Sequence, residues 1–400
     1  MPIIRNQASP IKLQLAKDLT RSIKRGHAWV YRQALRSCPP AAPGAPAALY
    51  DNKGGKQIAK GYYTPDSPLA LRICTTDPNQ SLDDGWAAGQ MKNALAMRQS
   101  LFNPQKTNAY RLFNGEGDGL PGLVVDIYDR AAVVKLDGDA AANFWDAQGI
   151  ADWLVRNLKV NLVYRKSRRT DGESGEALVG EPPSSPIPFT ENNLSFSADL
   201  VHGQKTGFFL DQRDNRAVIG SLASGKRVAN IFGYTGGFSV YAGWGSALQV
   251  VTVDSAKPAL LAADNHWRQN NFTEDRHKSI AADAFDFLQQ SAESKENWDM
   301  VILDPPSFAP NEASIPQASA AYTKLIAGGA RITVQNGLLA AASCSSHITQ
   351  ADFMEICERA ISEARRKASL VGIYGLPADH PAPLVMPELR YLKFVLMKLD

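Results

Sequence analysis

One stretch, Val228–Asp254 (VANIFGYTGGFSVYAGWGSALQVVTVD), limits the possible folds of this chain more than any other. It reads as a strand, a glycine-rich turn, a helix and a second strand that ends in an acid. Val228–Phe232 is apolar, and Gly233, Gly236 and Gly237 then interrupt it with Tyr234 and Thr235 between them. Phe238–Trp244 can form one helical face, and Gln249–Val253 is β-branched again. Such a βαβ unit binds nucleotides, because glycine admits close backbone approach and a helix N-terminus offers unpaired N–H groups. Asp254 follows Gly236 by 18 residues, a reach that suits a ribose diol. The spacing is not G-x-G-x-x-G and no GK[ST] follows, so the dinucleotide fingerprint and the P-loop are both excluded. An adenosine-type ligand without a pyrophosphate fits better; a glycine-rich turn of an ordinary α/β protein would read the same way.

The downstream sequence repeats the pattern. Helix Pro258–Asn271 leads to strand Lys278–Ala281 and Asp283, then helix Phe285–Ser291. Strand Met300–Leu303 ends in Asp304-Pro305-Pro306-Ser307-Phe308. Helix Ala320–Asn336, strand Gly337–Ala342 and Ser343-Cys344-Ser345-Ser346 follow, then helix Asp352–Lys367 and strands Leu370–Tyr374 and Tyr391–Met397. Alternation of this length predicts a mostly parallel, doubly wound Rossmann-like sheet. Ligands bind such sheets at the carboxyl ends of the strands. Those ends carry Gly233–Gly237, Asp254 with Ser255, Asp283 with Ala284, Asp304, and Ser343-Cys344-Ser345. Asp254 can take a ribose diol and Asp283 an adenine amino group, with Asp304 between cofactor and substrate. This joint pattern is far more specific than any one of its members.

The first half reads differently. Ile11–Leu15, Ala48–Tyr50, Gln57–Tyr63 and Leu69–Cys74 are short strand-like runs that predict a small β-barrel-like module. The first forty residues hold eight basic residues against the single acid Asp18, on a chain whose net charge is only +3. That suggests a polyanion, with Lys24, Arg25 and Arg32 as contacts and RNA as the fit for basic residues interleaved with Trp29 and Tyr31. A solvated basic face and a core tryptophan are the bland readings. Asp84–Asn103 is helical by its spacing, and Tyr110–Lys166 reads as a β-β-β-α-β unit with helix Phe144–Asn157. Arg165, Lys166, Arg168 and Arg169 form a second basic run beside Gly172–Pro188, which reads as a linker, and Asn193–Val201 follows as a strand pair. The boundaries predicted are 1–80, 81–188 and 189–400. Cys38, Cys74, Cys344 and Cys357 sit far apart, which argues against a zinc site and a disulfide framework and points to the cytoplasm. MPIIRNQASPIK has no apolar secretion signal, and the glycines, Asn230 and Gln249 argue against a membrane span.

At these residues the chain resembles a known family. DGLPGLVVDIY (118–128), HGQKTGFFLDQRDNR (202–216), FGYTGGFS (232–239), VDS, DPPSF, SCSS, DHP (379–381) and YLK (391–393) resemble class I S-adenosylmethionine-dependent methyltransferases. More narrowly, they resemble the large-subunit (23S) ribosomal RNA cytosine-C5 methyltransferases that begin with a PUA domain. The resemblance runs over nearly the whole chain. It implies a PUA domain, a small central α/β domain and a Rossmann-like catalytic domain, S-adenosylmethionine as cofactor, ribosomal RNA as partner, and homodimers. It implies that Phe232, Gly233, Tyr234, Thr235, Gly236, Gly237, Asp254, Ser255, Asp283, Ala284 and Asp304 hold the cofactor, with Lys205 and Arg213 as cofactor or fold support. C5 of cytosine is a poor nucleophile, so such an enzyme needs a thiolate to add at C6, a donor near the ring nitrogen, and a base. The resemblance assigns Cys344 as nucleophile and Asp304 as partner of the ring or the base. Cys357, inside a helix, reads as core. Relatives usually carry a basic residue where this chain has Ser307. An amino-methyltransferase for guanine or adenine, in which the two prolines follow an acid that holds the amine, is the rival enzyme reading. A non-catalytic RNA-binding assembly factor is the rival of another class.

Overall fold

The computed structural model describes residues 1–5, 9–167 and 175–400. These form two compact units, one of residues 1–193, 197–210 and 378–387 and the other of 194–196, 211–377 and 388–400.

The first unit holds two five-stranded sheets. One is built from β1 (Ile11–Gln14), β2 (Trp29–Tyr31), β3 (Ala45–Tyr50), β4 (Gln57–Tyr63) and β5 (Leu69–Thr75) in the order β1-β3-β4-β5-β2. Helix α1 (Thr20–Lys24) lies between β1 and β2 in sequence, and Leu13, Val30, Leu49, Tyr63 and Leu71 fill the core. Helix α2 (Asp84–Leu101) leads to β6 (Ala109–Asn114), β7 (Leu123–Tyr128), β8 (Ala131–Leu136), β9 (Leu162–Arg165) and β10 (Glu176–Val179), ordered β10-β9-β8-β7-β6. Helix α4 (Ala147–Leu158) is the one expected over Phe144–Asn157 and starts later because Asp146 caps it through the Gly149 N–H; α3 (Asp139–Phe144), which the sequence did not announce, precedes it. The stretch expected to be a linker contains β10. The last two residues of that stretch open β11 (Ile187–Glu191), which forms a hairpin with β12 (Leu194–Ala198). Asn192 and Asn193 make that turn at φ 51° and 65°, the left-handed pair that a two-residue hairpin needs and that asparagine tolerates.

The second unit is the doubly wound fold. After α5 (Arg213–Leu222) the chain runs β13 (Arg227–Ile231), α6 (Gly237–Trp244), β14 (Gln249–Asp254), α7 (Lys257–Gln269), β15 (His277–Ala281), α8 (Ala284–Glu293) and β16 (Trp298–Leu303). It continues through α9 (Ile315–Ile332), β17 (Thr333–Ser343), α10 (Gln350–Glu363), β18 (Ala368–Tyr374) and β19 (Lys393–Leu399). The sheet order is β15-β14-β13-β16-β17-β19-β18, with β19 antiparallel to its neighbours. Strands β13, β14 and β16 are almost wholly buried and rich in valine and isoleucine, as parallel strands covered on both faces must be. Phe238, Trp267 and Phe394 pack one face; Phe287, Tyr322 and Phe353 pack the other. The helix expected over Ala320–Asn336 starts and ends earlier. Pro316 sits at its first turn, and β-branched Thr333 and Val334 already belong to β17. The strand order reverses between β13 and β16, and at that point the carboxyl ends of two adjacent parallel strands diverge.

Candidate active site

The glycine turn after β13 is tightly wound. Phe232 and Tyr234 adopt φ 59° and 46°, conformations that cost bulky residues energy and persist only where their surroundings hold them. The Gly233 N–H donates to Val253 O (2.9 Å) and the Gly236 N–H to Gly233 O (2.8 Å). Both glycines answer an internal demand as well as any ligand. A Cβ on Gly233 would lie 2.4 Å from Thr252 Cγ2, and one on Gly236, at φ 75°, 2.7 Å from Ala263 Cβ. Asp254 closes the turn from the neighbouring strand. One carboxylate oxygen accepts the Tyr234 N–H and the other the Ala256 N–H, each at 2.9 Å. Each oxygen keeps a further lone pair for a hydroxyl donor. Ser255 is exposed beside it. Asp283 is exposed and caps α8, accepting from the N–H groups of Phe285 (2.8 Å) and Asp286 (3.2 Å), with Ala284 buried as the first helical residue.

A buried polar chain lies under this turn. Asn230 Nδ2 donates to Ser239 Oγ (2.9 Å), Ser239 Oγ pairs with Thr252 Oγ1 (2.6 Å), and Thr252 Oγ1 with His277 Nε2 (2.7 Å). Burial pushes the His277 pKa down to about 4, against the pull of Asp264. A neutral imidazole with Nδ1–H toward Asp264 (3.4 Å) and a bare Nε2 accepts the Thr252 proton, so every hydroxyl in the chain has a direction. His266, fully buried, donates from Nδ1 to Thr235 O (2.8 Å) and holds the turn from α7.

Asp304 and Cys344 follow directly on β16 and β17, which run parallel with Leu303 opposite Ala341. Both are half-buried. Asp304 Oδ1 accepts from Gln212 Nε2 (2.9 Å), and Gln212 in turn accepts from Asn215 Nδ2 (2.6 Å); both amides are buried. Gln212 thereby orients the carboxylate through Oδ1. Ser345 ties the Cys344 loop to the segment after the two prolines: its Oγ bonds Ser307 Oγ (3.0 Å), Tyr322 OH (3.1 Å) and the Ala309 N–H (3.3 Å). Ser307 thus acts within the loop by hydrogen bonding. Lys393, 2% exposed, donates to Ser345 O (2.5 Å) and Tyr391 O (2.8 Å), while Tyr391 OH donates to Asp211 (2.8 Å). Four motifs far apart in sequence meet here: FLDQR, DPPSF, SCSS and YLK.

Gln212 and Lys393 carry roles that FLDQR and YLK do not announce as motifs. Their signal was present: a lone lysine in the apolar run YLKFVLM, and an amide directly after an acid in a dense polar segment. Arg213 is buried at the first position of α5. Lys205 belongs to the other unit, at φ 51°, with its ammonium 4.5 Å over the Phe209 ring. Its neighbour Thr206 donates to Asp126 (2.5 Å) and pairs with Tyr128 OH (3.0 Å). Asp379 of the DHP segment accepts the Arg111 N–H (2.9 Å) and gives its carbonyl to Arg98 (2.8 Å), so this segment is anchored inside the first unit. Lys24, Arg25 and Arg32 are exposed there; Arg165 pairs with Glu176 (3.0 Å), and Lys166 donates to Gly203 O. Arg168 and Arg169 lie outside the described residues. Cys357 is buried in α10, its thiol pushed up to about 12. Among the described residues no three His, Cys, Asp or Glu side chains cluster as metal ligands would, and no helix is long and apolar enough to cross a membrane.

A glycine turn and an acid on the next strand tip thus stand on one side of the switch point, and an acid and a cysteine on the other. The family described as S-adenosylmethionine-dependent methyltransferase matches residues 146–381, and a PUA-like domain matches 13–76. The chain belongs to the S-adenosylmethionine-dependent methyltransferases with a PUA-like domain, and S-adenosylmethionine is its methyl donor. It is 37% identical to a ribosomal RNA large subunit methyltransferase of Deinococcus radiodurans over 99% of both chains. It is 34% identical to ribosomal RNA large subunit methyltransferase I of Alteromonas mediterranea, over 96% of this chain and 98% of that one. An S-adenosylmethionine-dependent methyltransferase from Streptococcus mutans superposes with a TM-score of 0.83 at 25% identity, covering 97% of this chain and all of the other. A further methyltransferase solved in complex with SAH has a TM-score of 0.82.

Proposed function

We propose that the protein methylates C5 of a cytosine in large-subunit ribosomal RNA through a covalent bond between Cys344 and C6. The observation that carries this is that Asp304 and Cys344 each stand one residue beyond one of two adjacent parallel strands, β16 and β17, on the other side of the switch point from the glycine turn. The relatives' names support ribosomal RNA as substrate.

The donor set fits the cofactor: the turn Phe232–Gly237 would meet it with backbone groups, Asp254 and Ser255 would hold its ribose, and Asp283 and Ala284 its adenine. Lys205 and Arg213 are assigned to cofactor or fold support by the family resemblance. Bound S-adenosylmethionine supplies the electrophilic methyl group. Cys344 loses its proton to solvent and its thiolate forms the Sγ–C6 bond, which makes C5 electron-rich. Asp304, oriented by the Gln212 amide at Oδ1, holds the ring. When C5 carries the methyl, loss of the C5 proton to a base breaks the Sγ–C6 bond and restores the thiolate. The domain division proposed is 1–80, 81–188 and 189–400, with the first as RNA grip. There, Arg32, Arg36 and exposed Tyr31 line a cleft of about 740 Å³ next to Lys24 and Arg25 in sequence; the basic run Arg165, Lys166, Arg168 and Arg169 is the second RNA contact proposed from the sequence. The compartment proposed is the cytoplasm, in keeping with four free cysteines, and a homodimer follows from the family resemblance alone.

The test uses radiolabelled S-adenosylmethionine and ribosomal RNA lacking its native modifications. The label is expected in 5-methylcytidine and lost in Cys344→Ala. Label in a methylated purine, undisturbed by that substitution, overturns the cytosine reading and leaves the fold and cofactor standing.

A further inference from the structure

Lys393 is a charged side chain at a position where the fold spends apolar residues. It opens β19, sits directly across the antiparallel ladder from Ser343, and is flanked by buried Leu392 and Phe394. Its ammonium is clamped by two backbone carbonyls, Ser345 O at 2.5 Å and Tyr391 O at 2.8 Å. Carbonyls accept only, so both bonds demand N–H donors and hold the charged head in one place. That place is against the loop Ser343-Cys344-Ser345, on the residues that bracket the thiol. A buried cation is costly unless its charge is used or matched.

We propose that Lys393 is the positioning residue that holds Cys344 as a thiolate, its fixed ammonium stabilising the sulfur's negative charge while its two hydrogen bonds set the loop. This rests on the reading of Cys344 as nucleophile. A thiolate beside a fixed cation forms at lower pH than a free thiol, which is how cysteine nucleophiles are activated. Asp352, at the start of α10, and Cys344 favour the ammonium, while burial opposes it and brings the Lys393 pKa down to about 8. Tyr322 on α9 faces the same loop, its phenol raised by burial. Lys393 is therefore still cationic at neutral pH, where the thiolate is needed. The proton released from Sγ goes to solvent, and no further reagent is required.

The experiment measures the rate of Cys344 alkylation by iodoacetamide as a function of pH, by peptide mass spectrometry of the full chain without S-adenosylmethionine or RNA. Lys393→Gln keeps an amide donor for one carbonyl and removes the charge; Lys393→Arg keeps the charge. Thermal unfolding of each variant reports on the fold. The expected result is a midpoint moved up by about one pH unit in Lys393→Gln, or roughly tenfold slower alkylation at pH 7, with Lys393→Arg close to the parent protein. An unchanged midpoint in a folded Lys393→Gln overturns the inference, as does an equal upward shift in Lys393→Arg. The readout does not depend on which base is methylated. If Cys344→Ala retains activity, the nucleophile reading fails separately, whatever the alkylation profile shows.

Discussion

His277 gives the sharpest quantitative prediction for the catalytic unit. It stacks on Trp267 at 4.7 Å between ring centres, accepts from Thr252, and is the end of the polar chain beneath the glycine turn. Its pKa falls from 6.5 in the unfolded chain to about 4 in the fold, because burial penalises the imidazolium more than Asp264 helps it. Below pH 6.5 the unfolded chain takes up a proton that the folded one refuses, so stability falls as the pH drops. The contribution is fully present above pH 6.5, declines between 6.5 and about 4, and is flat below. The whole difference corresponds to about 3 kcal/mol, of which about 2 kcal/mol is gone at pH 5. Urea unfolding of the parent protein and of His277→Gln, followed by tryptophan fluorescence at pH 7 and pH 5, isolates the effect. The parent should lose about 2 kcal/mol relative to the variant over that interval. A stability difference that is the same at both pH values refutes a neutral buried imidazole and the hydrogen-bond direction built on it.

Two other substitutions test the scaffold. Gly236→Ala forces a side chain into φ 75° and to 2.7 Å from Ala263 Cβ; strain plus overpacking should cost about 2–5 kcal/mol. Lowered thermal stability and weaker S-adenosylmethionine binding by calorimetry are the expected outcome, and parent-like values in both would remove the packing argument for this glycine. In the first unit, Arg98→Met leaves Asp118 buried without the bidentate partner it holds at 2.5 and 2.7 Å, a loss of about 3–5 kcal/mol. Denaturant unfolding should show it, with much of the loss recovered in Arg98→Met/Asp118→Leu.

What could be read from the sequence followed from short-range rules. Strand Val228–Phe232, its glycines and Asp254 are a local pattern, because a βαβ unit is written in apolar periodicity and in the residues that punctuate it. The same rules missed β10 and β11. Those strands sit among prolines, glycines and serines, and β11 is stabilised by its pairing across the Asn192–Asn193 turn. They also missed the short helix α3, and started α4 three residues early, since the cap that Asp146 supplies is weaker in sequence than the apolar run around it.

By itself, then, the sequence determined a doubly wound sheet, an order of strand tips bearing Gly233, Asp254, Asp283, Asp304 and Cys344, and the kind of ligand those tips can take. Only the tertiary structure decided which groups serve those tips. Gln212 reaches Asp304 across 92 residues, and Lys393 meets the carbonyl after Cys344 across 48. Neither distance leaves a periodic trace, because a hydrogen bond depends on where two side chains end in space and not on their spacing along the chain. Gly233 and Gly236 make the same point from the other side. Their presence marked the turn, but the neighbours that exclude a Cβ, Thr252 and Ala263, come from the next strand and helix, brought there by the packing of the sheet.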